Sequence, residues 1–206
     1  TFYRPNTTPS ITDADGNVYT SVTIGTQEWM TENLRTTKYS DGTSIPNVIG
    51  NTDWENLSTA AWCHYDNDSS QYESTYGKLY NWYAVETGKL CPTGWHVPTD
   101  AEWTVLTDYL TANGHNGTEG TALKATSGWN SGGNGTDDYG FLGLPGGYRY
   151  YDDGDFSSIG NYGNWWSSSQ NGTSNAWSRG LDSGNDSVGS YSGNKYYGFS
   201  VRCLRD

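Results

Sequence analysis

The side chains best suited to chemistry are three cysteines and three histidines, and they do not cluster along the chain. They are Cys63, Cys91, Cys203, His64, His96 and His115. No two cysteines have the C-x-x-C spacing of zinc ribbons and thioredoxin-like redox sites. His64 directly follows Cys63, but successive residues of a strand point to opposite faces, which disfavours a shared metal. The spacing predicts no catalytic residue, no metal ligand and no cofactor here.

Two acidic segments carry the oxygen ligands that calcium prefers. Asp13, Asp15 and Asn17 have the spacing that opens a calcium loop, but the later ligands and the closing Glu of an EF-hand are missing. The Asp15-Gly16 pair is typical of a tight hairpin turn, and this is the interpretation we favour. The run Asp-Asp-Gly-Asp at 152–155 is likewise interpreted as an acidic turn rather than a cation site.

Composition limits the classes of partner. The 206 residues include 23 acidic and 11 basic side chains, so the net charge is −12. Nucleic acids and anionic lipids bind through cationic side chains, so both are excluded as expected partners. No apolar run approaches the ~18 residues of a membrane helix, so this domain is not expected to insert into a membrane. The length fits one domain over residues 1–206, large enough to form a core.

The clearest predicted element is a helix at about 99–112. Thr99 is a good N-cap, and Glu102 stands three residues later, which together make a capping box. Apolar side chains follow at helical spacing, namely Trp103, Leu106 and Leu110. The helix should end near Asn113-Gly114, because glycine favours the conformation that terminates helices.

The rest of the chain predicts short strands and turns, which gives an α+β fold class. Residues 36–75 contain many turn signals and are expected to be irregular. Residues 79–85 fit a strand or a short helix, and no second long helix is expected after Gly114. Strands are expected at 18–23, 141–151, 165–169, 177–182 and 199–204. In the last two, large side chains alternate with smaller or polar ones, as in half-buried antiparallel strands.

Residues 161–198 differ in composition from the rest of the chain. Asn, Gly, Ser and Tyr account for 26 of these 38 residues, but large apolar side chains recur among them like core anchors. The anchors are Trp165, Trp166, Trp177, Leu181 and Val188. Tyr, Ser, Gly and Asn also dominate antibody paratopes, where tyrosine supplies contact area and small polar residues supply adaptable hydrogen bonds. The composition alone fits a binding surface and a merely soluble loop-rich edge equally well.

Six segments resemble one known family. They lie at 13–34, 76–85, 90–103 (LCPTGWHVPTDAEW), 144–156, 165–169 (WWSSS) and 198–206 (GFSVRCLRD). Together they resemble the Fibrobacter succinogenes major paralogous domain, which is common in exported lipoproteins and surface proteins of gut Bacteroidetes-type bacteria and in some of their phages. The resemblance implies a C-type lectin fold, in the version shared with formylglycine-generating enzymes. It also implies a structural role for His96, which lies in the Gly-Trp-His-Val-Pro motif.

In some members of this family, a diversity-generating retroelement varies the ligand-binding segment at the C-terminal end. The resemblance therefore implies a variable protein with its binding region at 161–197. By alternation with the anchors, the side chains expected to vary and bind are Ser178, Gly180 and Asp182, followed by Ser183, Asn185 and Asp186. Loop positions flanking that strand complete the set, namely Asn164, Asn171, Ser190 and Tyr191. Three tyrosines at 148, 150 and 151 are interpreted as family scaffold, and the alternative is that they rim the same surface.

The resemblance also bears on the cysteines. C-type lectins often tie the first-helix region to the last strand, which implies a Cys91–Cys203 disulfide. The active-site cysteine pair of formylglycine-generating enzymes is not matched, because only Cys203 lies in the C-terminal part. Calcium-dependent lectins use Glu-Pro-Asn or Gln-Pro-Asp, and neither tripeptide occurs. A calcium-dependent sugar site is therefore not expected.

These observations predict a non-enzymatic binding protein rather than an enzyme. Its expected location is extracellular, on a cell surface or on a phage virion. Its expected partner is a protein or glycan ligand on a cell surface. Two alternatives remain: a structural cell-envelope module without a variable site, and an enzyme of the formylglycine-generating type or an unknown hydrolase.

Overall fold

The computed structural model describes residues 10–206, so the first nine residues of the predicted single domain lie outside it. The helices are α1 (Asn51–Glu55), α2 (Ser69–Tyr76), α3 (Trp82–Val85), α4 (Asp100–Leu110) and α5 (Glu119–Leu123). The strands are β1 (Ile11–Thr12), β2 (Val18–Tyr19), β3 (Ser21–Ile24), β4 (Gln27–Met30), β5 (Trp62–Cys63), β6 (Leu79–Tyr80), β7 (Trp95–His96), β8 (Gly146–Arg149), β9 (Phe156–Ile159), β10 (Tyr162–Asn171), β11 (Asn175–Asp182), β12 (Gly189–Asn194) and β13 (Leu204–Arg205). This mixture of helices and sheets is the α+β class that the sequence predicts.

Helix α4 is the helix predicted at 99–112, and its capping box is formed. The Glu102 backbone N–H donates to Thr99 Oγ1 at 3.2 Å, and the Thr99 N–H donates to Glu102 Oε2 at 2.7 Å. A wider helical turn continues α4 over Thr111–His115, where Gly114 has a φ of 100°. The buried side chains are the three that set the periodicity, Trp103, Leu106 and Leu110.

The prediction that residues 36–75 are irregular is wrong in part, because α1 and α2 lie there. Helix α2 has no buried side chain, so its sequence lacks the apolar period that reveals a helix. Its start depends on Asp68, whose Oδ1 accepts a hydrogen bond from the Gln71 N–H at 3.1 Å. The segment 79–85 divides between β6 and α3. No helix among residues 10–206 is both long and apolar enough to cross a bilayer.

Two sheets dominate the described part of the chain. One has the order β12-β11-β10-β8-β9, and only its β10–β8 pair is parallel. The other has the order β3-β4-β13-β7, so the last strand lies between two earlier ones. Strands β1 and β2 form the hairpin predicted at Asp15-Gly16. Asp13 Oδ1 accepts from the N–H groups of Asp15 and Asn17 inside this turn, so the calcium-like spacing serves the hairpin.

The core is rich in tryptophan, and several indoles are almost fully buried. They are Trp29, Trp54, Trp103, Trp165 and Trp166. One predicted exposure is wrong: Ser200, Arg202 and Leu204 alternate along the closing segment but are all buried. Neighbouring chain covers both sides of this segment, since Ser200 bridges to Trp165 and β13 pairs with β4 and β7. The Arg202 guanidinium lies 4.3 Å from the Phe141 ring centroid and donates to Asn33 Oδ1 at 2.9 Å.

Candidate functional site

The register of β10, β11 and β12 gathers half of the predicted binding residues on one side of the five-stranded sheet. Paired residues of neighbouring strands point to the same face. The register pairs Asn164 with Gly180, Tyr162 with Asp182, and Ser178 with Tyr191. Gly163 pairs with Gly147 of β8, which puts Tyr148 on this side as well. We call the part of this side before Trp166 the tyrosine face; it consists of Tyr148, Tyr162, Asn164, Ser178, Gly180, Asp182, Gly189 and Tyr191. Trp166 pairs with Ser178, so beyond this point the same side of the sheet continues into the core.

Exposure divides the tyrosine face into a rim and a floor. Tyr162 is 37% exposed and Tyr191 is 50% exposed, whereas Ser178 is 1% and Asn164 is 8% exposed. Gly180 is buried too. The expectation that Asn164, Ser178 and Gly180 are surface positions is therefore wrong. The alternation of side chains along a strand predicts correctly to which side of the sheet each residue points. It does not predict whether another side chain covers a small residue on that side.

The side chain of Tyr191 lies above part of this floor. A Cβ atom built on Gly180 would lie 2.8 Å from Cε2 of Tyr191, and one built on Gly189 would lie 2.4 Å from the same atom. Only glycine leaves room at these two positions for the ring as it lies. Asn164 Oδ1 is the next neighbour of Gly180, at 3.1 Å from the same built atom.

The rim is electrostatically coupled. The Asp182 carboxylate raises the pKa of Tyr162 through its charge and a hydrogen bond, and burial, Tyr191 and Tyr148 add to the rise. The Tyr162 hydroxyl therefore stays protonated at neutral pH. The rim thus presents phenol groups beside the Asp182 side chain, which is suited to hydrogen bonding and apolar contact.

The loop after β11 contains three more of the predicted residues, and the chain around α5 holds it in place. Asn185 and Asp186 are exposed and Ser183 is half-buried. Lys124, which is 2% exposed, donates through Nζ to the backbone oxygens of Asp182 at 3.1 Å and Asn185 at 3.0 Å. Burial lowers the pKa of Lys124, and the carboxylates of Asp186 and Asp182 oppose that shift.

Thr121 adds two further bonds to the same loop. Its N–H donates to the Asp186 backbone oxygen at 2.9 Å, and its Oγ1 donates to Asp186 Oδ1 at 2.8 Å. Lys124 and Thr121 are not among the residues predicted from the sequence. They lie 58 or more positions before the groups they bind, and no local pattern marks them.

Two predicted residues lie apart from the tyrosine face. Ser190 is exposed but pairs with Arg179, so it points to the other side of the sheet. Asn171 lies at the opposite end of β10, where its Nδ2 donates to Ser192 Oγ at 2.8 Å. Since a strand rises about 3.3 Å per residue, the length of β11 puts Asn171 roughly 20 Å from Asp182. The ten predicted residues therefore do not form a single patch.

The reverse side of the sheet is fixed to α4. Arg179 is 4% exposed, and its guanidinium contacts Asp100 Oδ1 at 2.5 Å and the Asp100 backbone oxygen at 3.1 Å. Leu181 packs into the core cluster that contains Trp103 and Trp165. Strand β11 is thus held from behind, which limits how far the tyrosine face can rearrange.

The cysteines occupy two different environments. Cys91 and Cys203 are joined in a disulfide with a Cα–Cα distance of 6.0 Å, the pairing that the family resemblance implies. Cys63 is a free, fully buried thiol, and burial raises its pKa to about 12. At neutral pH almost none of it is thiolate, so Cys63 is a poor nucleophile.

The histidines are separated and each contacts carboxylates. His96 lies between Asp206 Oδ1 at 2.7 Å and Glu102 Oε1 at 3.0 Å, next to the capping box of α4. His64 Nε2 lies 3.2 Å from Glu73 Oε2, and His115 is 3.8 Å from Asp138. Within residues 10–206, no three His, Cys, Asp or Glu side chains are grouped so that they could hold a metal ion.

Comparison with known proteins gives a single finding. The family model of the Fibrobacter succinogenes major domain matches residues 22–205. No curated protein and no solved structure gives a significant match.

Proposed function

The chain belongs to the Fibrobacter succinogenes major domain family, and we propose that it is a non-enzymatic module that binds a protein or glycan ligand on a cell surface. Its binding surface is the tyrosine face together with the exposed loop at Asn185 and Asp186. The observation that carries the proposal is the strand register, which brings the exposed Tyr162 and Tyr191 and the half-buried Asp182 to one face, above a buried floor of Asn164, Ser178 and Gly180. The exposed tyrosines of this rim, together with Ser183, Gly184 and Asn185 of the adjoining loop, have the Tyr, Ser, Gly and Asn chemistry of adaptable paratopes.

Rigid support favours binding over a purely structural role. Ordering loops on binding costs affinity, so a surface that is already fixed binds more tightly. Lys124 and Thr121 fix the loop, and Arg179 fixes β11 from behind. A loop that served only to keep the protein soluble would not need a buried side chain such as Lys124 hydrogen-bonded to its backbone.

Two further parts of the proposal concern the fold and the origin of sequence variation in the binding region. We propose a single domain of C-type lectin type, because the disulfide links the segment before α4 to the closing segment. We also propose that residues 161–197 are the variable region of a diversity-generating retroelement. The nearly fully buried Trp165 and Trp166 would stay constant as anchors, while exposed positions change. A disulfide suits an oxidising location, in agreement with a cell surface or a virion.

An enzyme of the formylglycine-generating type is the less supported alternative. Its chemistry needs a pair of reactive cysteines. Here two cysteines are tied in a disulfide and the third is buried with a raised pKa. The disulfide therefore stabilises the fold, and the one free thiol is not placed to attack a substrate.

The test is to sequence this gene in many sibling isolates. We expect substitutions to cluster at adenine-containing codons of exposed residues within 161–197, with Tyr162, Asp182, Asn185, Asp186 and Tyr191 among them. The codons of Trp165 and Trp166 should be spared. If residues 161–197 vary no more than residues 76–103, the retroelement proposal is wrong and the structural envelope module becomes the better explanation.

A direct binding assay tests the ligand function independently of variation. The purified protein and a Tyr162→Ser/Tyr191→Ser variant would be compared for binding to intact bacterial cells of sibling strains. We expect the variant to lose most of the binding while keeping its unfolding midpoint. Equal binding by both proteins would contradict the tyrosine face as the binding surface.

A further inference from the structure

A small pocket lies outside the tyrosine face and shares no residue with it. It has a volume of about 350 Å³ and lies between α1, the turn that follows β8, and the end of β12. Its lining residues are Glu55, Asn56, Tyr151, Asp152, Asn194 and Tyr196. Two phenol rings, two carboxylates and two carboxamides thus converge on one depression.

Hydrogen bonds link α1 to each of the other two segments around this pocket. Trp54 Nε1 donates to the Tyr196 backbone oxygen at 2.7 Å, which ties α1 to the chain after β12. Asn51 Nδ2 donates to Asp155 Oδ1 at 2.5 Å, which ties α1 to the turn after β8. A Cβ built on Gly154 would lie 2.6 Å from the Asn51 backbone oxygen, so this turn reaches α1 only because residue 154 is glycine. The pocket is therefore formed before any ligand arrives.

The surroundings of the pocket are strongly negative. Residues 51–56 and 150–156 contain five carboxylates and no lysine or arginine. The third lining segment contains Lys195, but its side chain is buried, with Nζ 4.5 Å from the Trp82 ring centroid. Among residues 10–206, neither Glu55 nor Asp152 forms an ion pair. The nearby Arg149 is fully buried, and its guanidinium donates to the backbone oxygens of Gly154, Val48 and Ile49 rather than to the pocket carboxylates.

We propose that this pocket binds an organic ammonium group, such as a lysine side chain or a quaternary ammonium head group. The electron-rich faces of Tyr151 and Tyr196 attract a cation, and the Glu55 and Asp152 carboxylates balance its charge. A neutral ligand would leave the half-buried Glu55 and the exposed Asp152 without a counter-charge. The inference does not depend on the tyrosine face, and either proposal can fail without the other.

The test uses choline, Nα-acetyl-lysine amide and 3,3-dimethylbutanol, the uncharged isostere of choline. Each is titrated into the isotopically labelled protein by NMR at low and at high salt. We expect at least one cation to bind about tenfold more tightly than the isostere, as a cation–π contact reinforced by charge predicts. High salt should weaken the binding of the cation but not the binding of the uncharged isostere. Stronger binding of choline would identify a quaternary head group, and stronger binding of the lysine amide a peptide side chain.

Matched variants locate the site. The double variant Glu55→Gln/Asp152→Asn preserves side-chain shape and should lower the affinity for the cation about tenfold. Tyr151→Leu should lower this affinity by a similar factor. Tyr191→Ser, on the tyrosine face, should leave cation binding unchanged although it impairs cell binding. The proposal is overturned if neither cation binds more tightly than the isostere, or if the carboxamide double variant binds the preferred cation as the wild type does.

Discussion

The phenol ring of Tyr191 lies over Gly180 on the neighbouring strand β11, where a built Cβ atom would stand 2.8 Å from Cε2 of the ring. This contact explains why a residue predicted to be exposed is buried. The ring belongs to an exposed side chain, so it can move aside, whereas Asn164 Oδ1, 3.1 Å from the same built atom, belongs to a buried one.

The first prediction concerns Gly180→Ala. The new methyl group should displace the Tyr191 ring rather than the backbone, because the ring is the flexible partner. We expect a loss of less than about 1 kcal/mol in the free energy of unfolding, together with large shifts of the Tyr191 ring resonances by NMR. Gly184→Ala is the control, since its built Cβ meets Asp182 Oδ1 only at 3.6 Å. Shifts of the Tyr191 ring resonances of equal size in both variants would contradict the placement of this ring over Gly180.

The second prediction concerns Lys124→Met. The substitution leaves the backbone oxygens of Asp182 and Asn185 without their buried donor. These hydrogen bonds are partly buried, and an unsatisfied buried acceptor costs about 1–3 kcal/mol, so we expect a loss near the lower end of that range. The urea midpoint should fall, and amide exchange in residues 182–187 should accelerate.

Lys89→Met is the matched control for Lys124→Met. Lys89 pairs with Asp41 on the surface, where its side chain is 58% exposed. Its loss should leave both the midpoint and the exchange rates near the wild-type values. If Lys124→Met behaves like this control, Lys124 does not hold the loop.

The third prediction concerns the disulfide. Its cysteines are 112 residues apart, and closing so long a loop stabilises a protein by about 5 kcal/mol in the chain-entropy model. Cys91→Ala/Cys203→Ala should therefore lower the free energy of unfolding by several kcal/mol. Reductant should destabilise the wild type and have no effect on the double variant. An equal response of both proteins to reductant would show that the bond is not formed in solution.

The fourth prediction concerns pH and His64. Burial, reinforced by the charge of Lys78, lowers the pKa of His64 below its ordinary value of 6.5, and Glu73 opposes the shift only in part. The unfolded chain therefore binds this proton more readily than the folded one, and stability falls as the pH drops from neutral through 6.5.

His64→Asn removes the titrating group and should flatten the pH dependence in that window. Urea unfolding of both proteins at steps between pH 7.5 and 5.5 measures the difference in slope. Acidic groups with lowered pKa values, such as Glu73, contribute only at lower pH. Parallel slopes for the two proteins would rule out His64 as the source.

Local patterns in the sequence were sufficient for several elements. The Thr99–Glu102 capping box and the apolar spacing after it define α4, because both interactions close within one or two helical turns. Alternation gives β11 and its two faces, since side-chain direction follows from strand geometry alone. The family motifs implied the disulfide partners, and the match over residues 22–205 establishes the family.

Tertiary structure decided which of these side chains is exposed. Ser178 points to the predicted face but is buried, and Arg202 lies in an alternating segment but is enclosed on both sides. Lys124 and Asn33 reach their partners across 58 and 169 positions of the chain. Local sequence sets the direction of a side chain, whereas its burial depends on distant segments that fold over it. The sequence therefore determined the family, the main helix and the faces of the strands, and only the three-dimensional packing decided which residues form the floor and which form the rim.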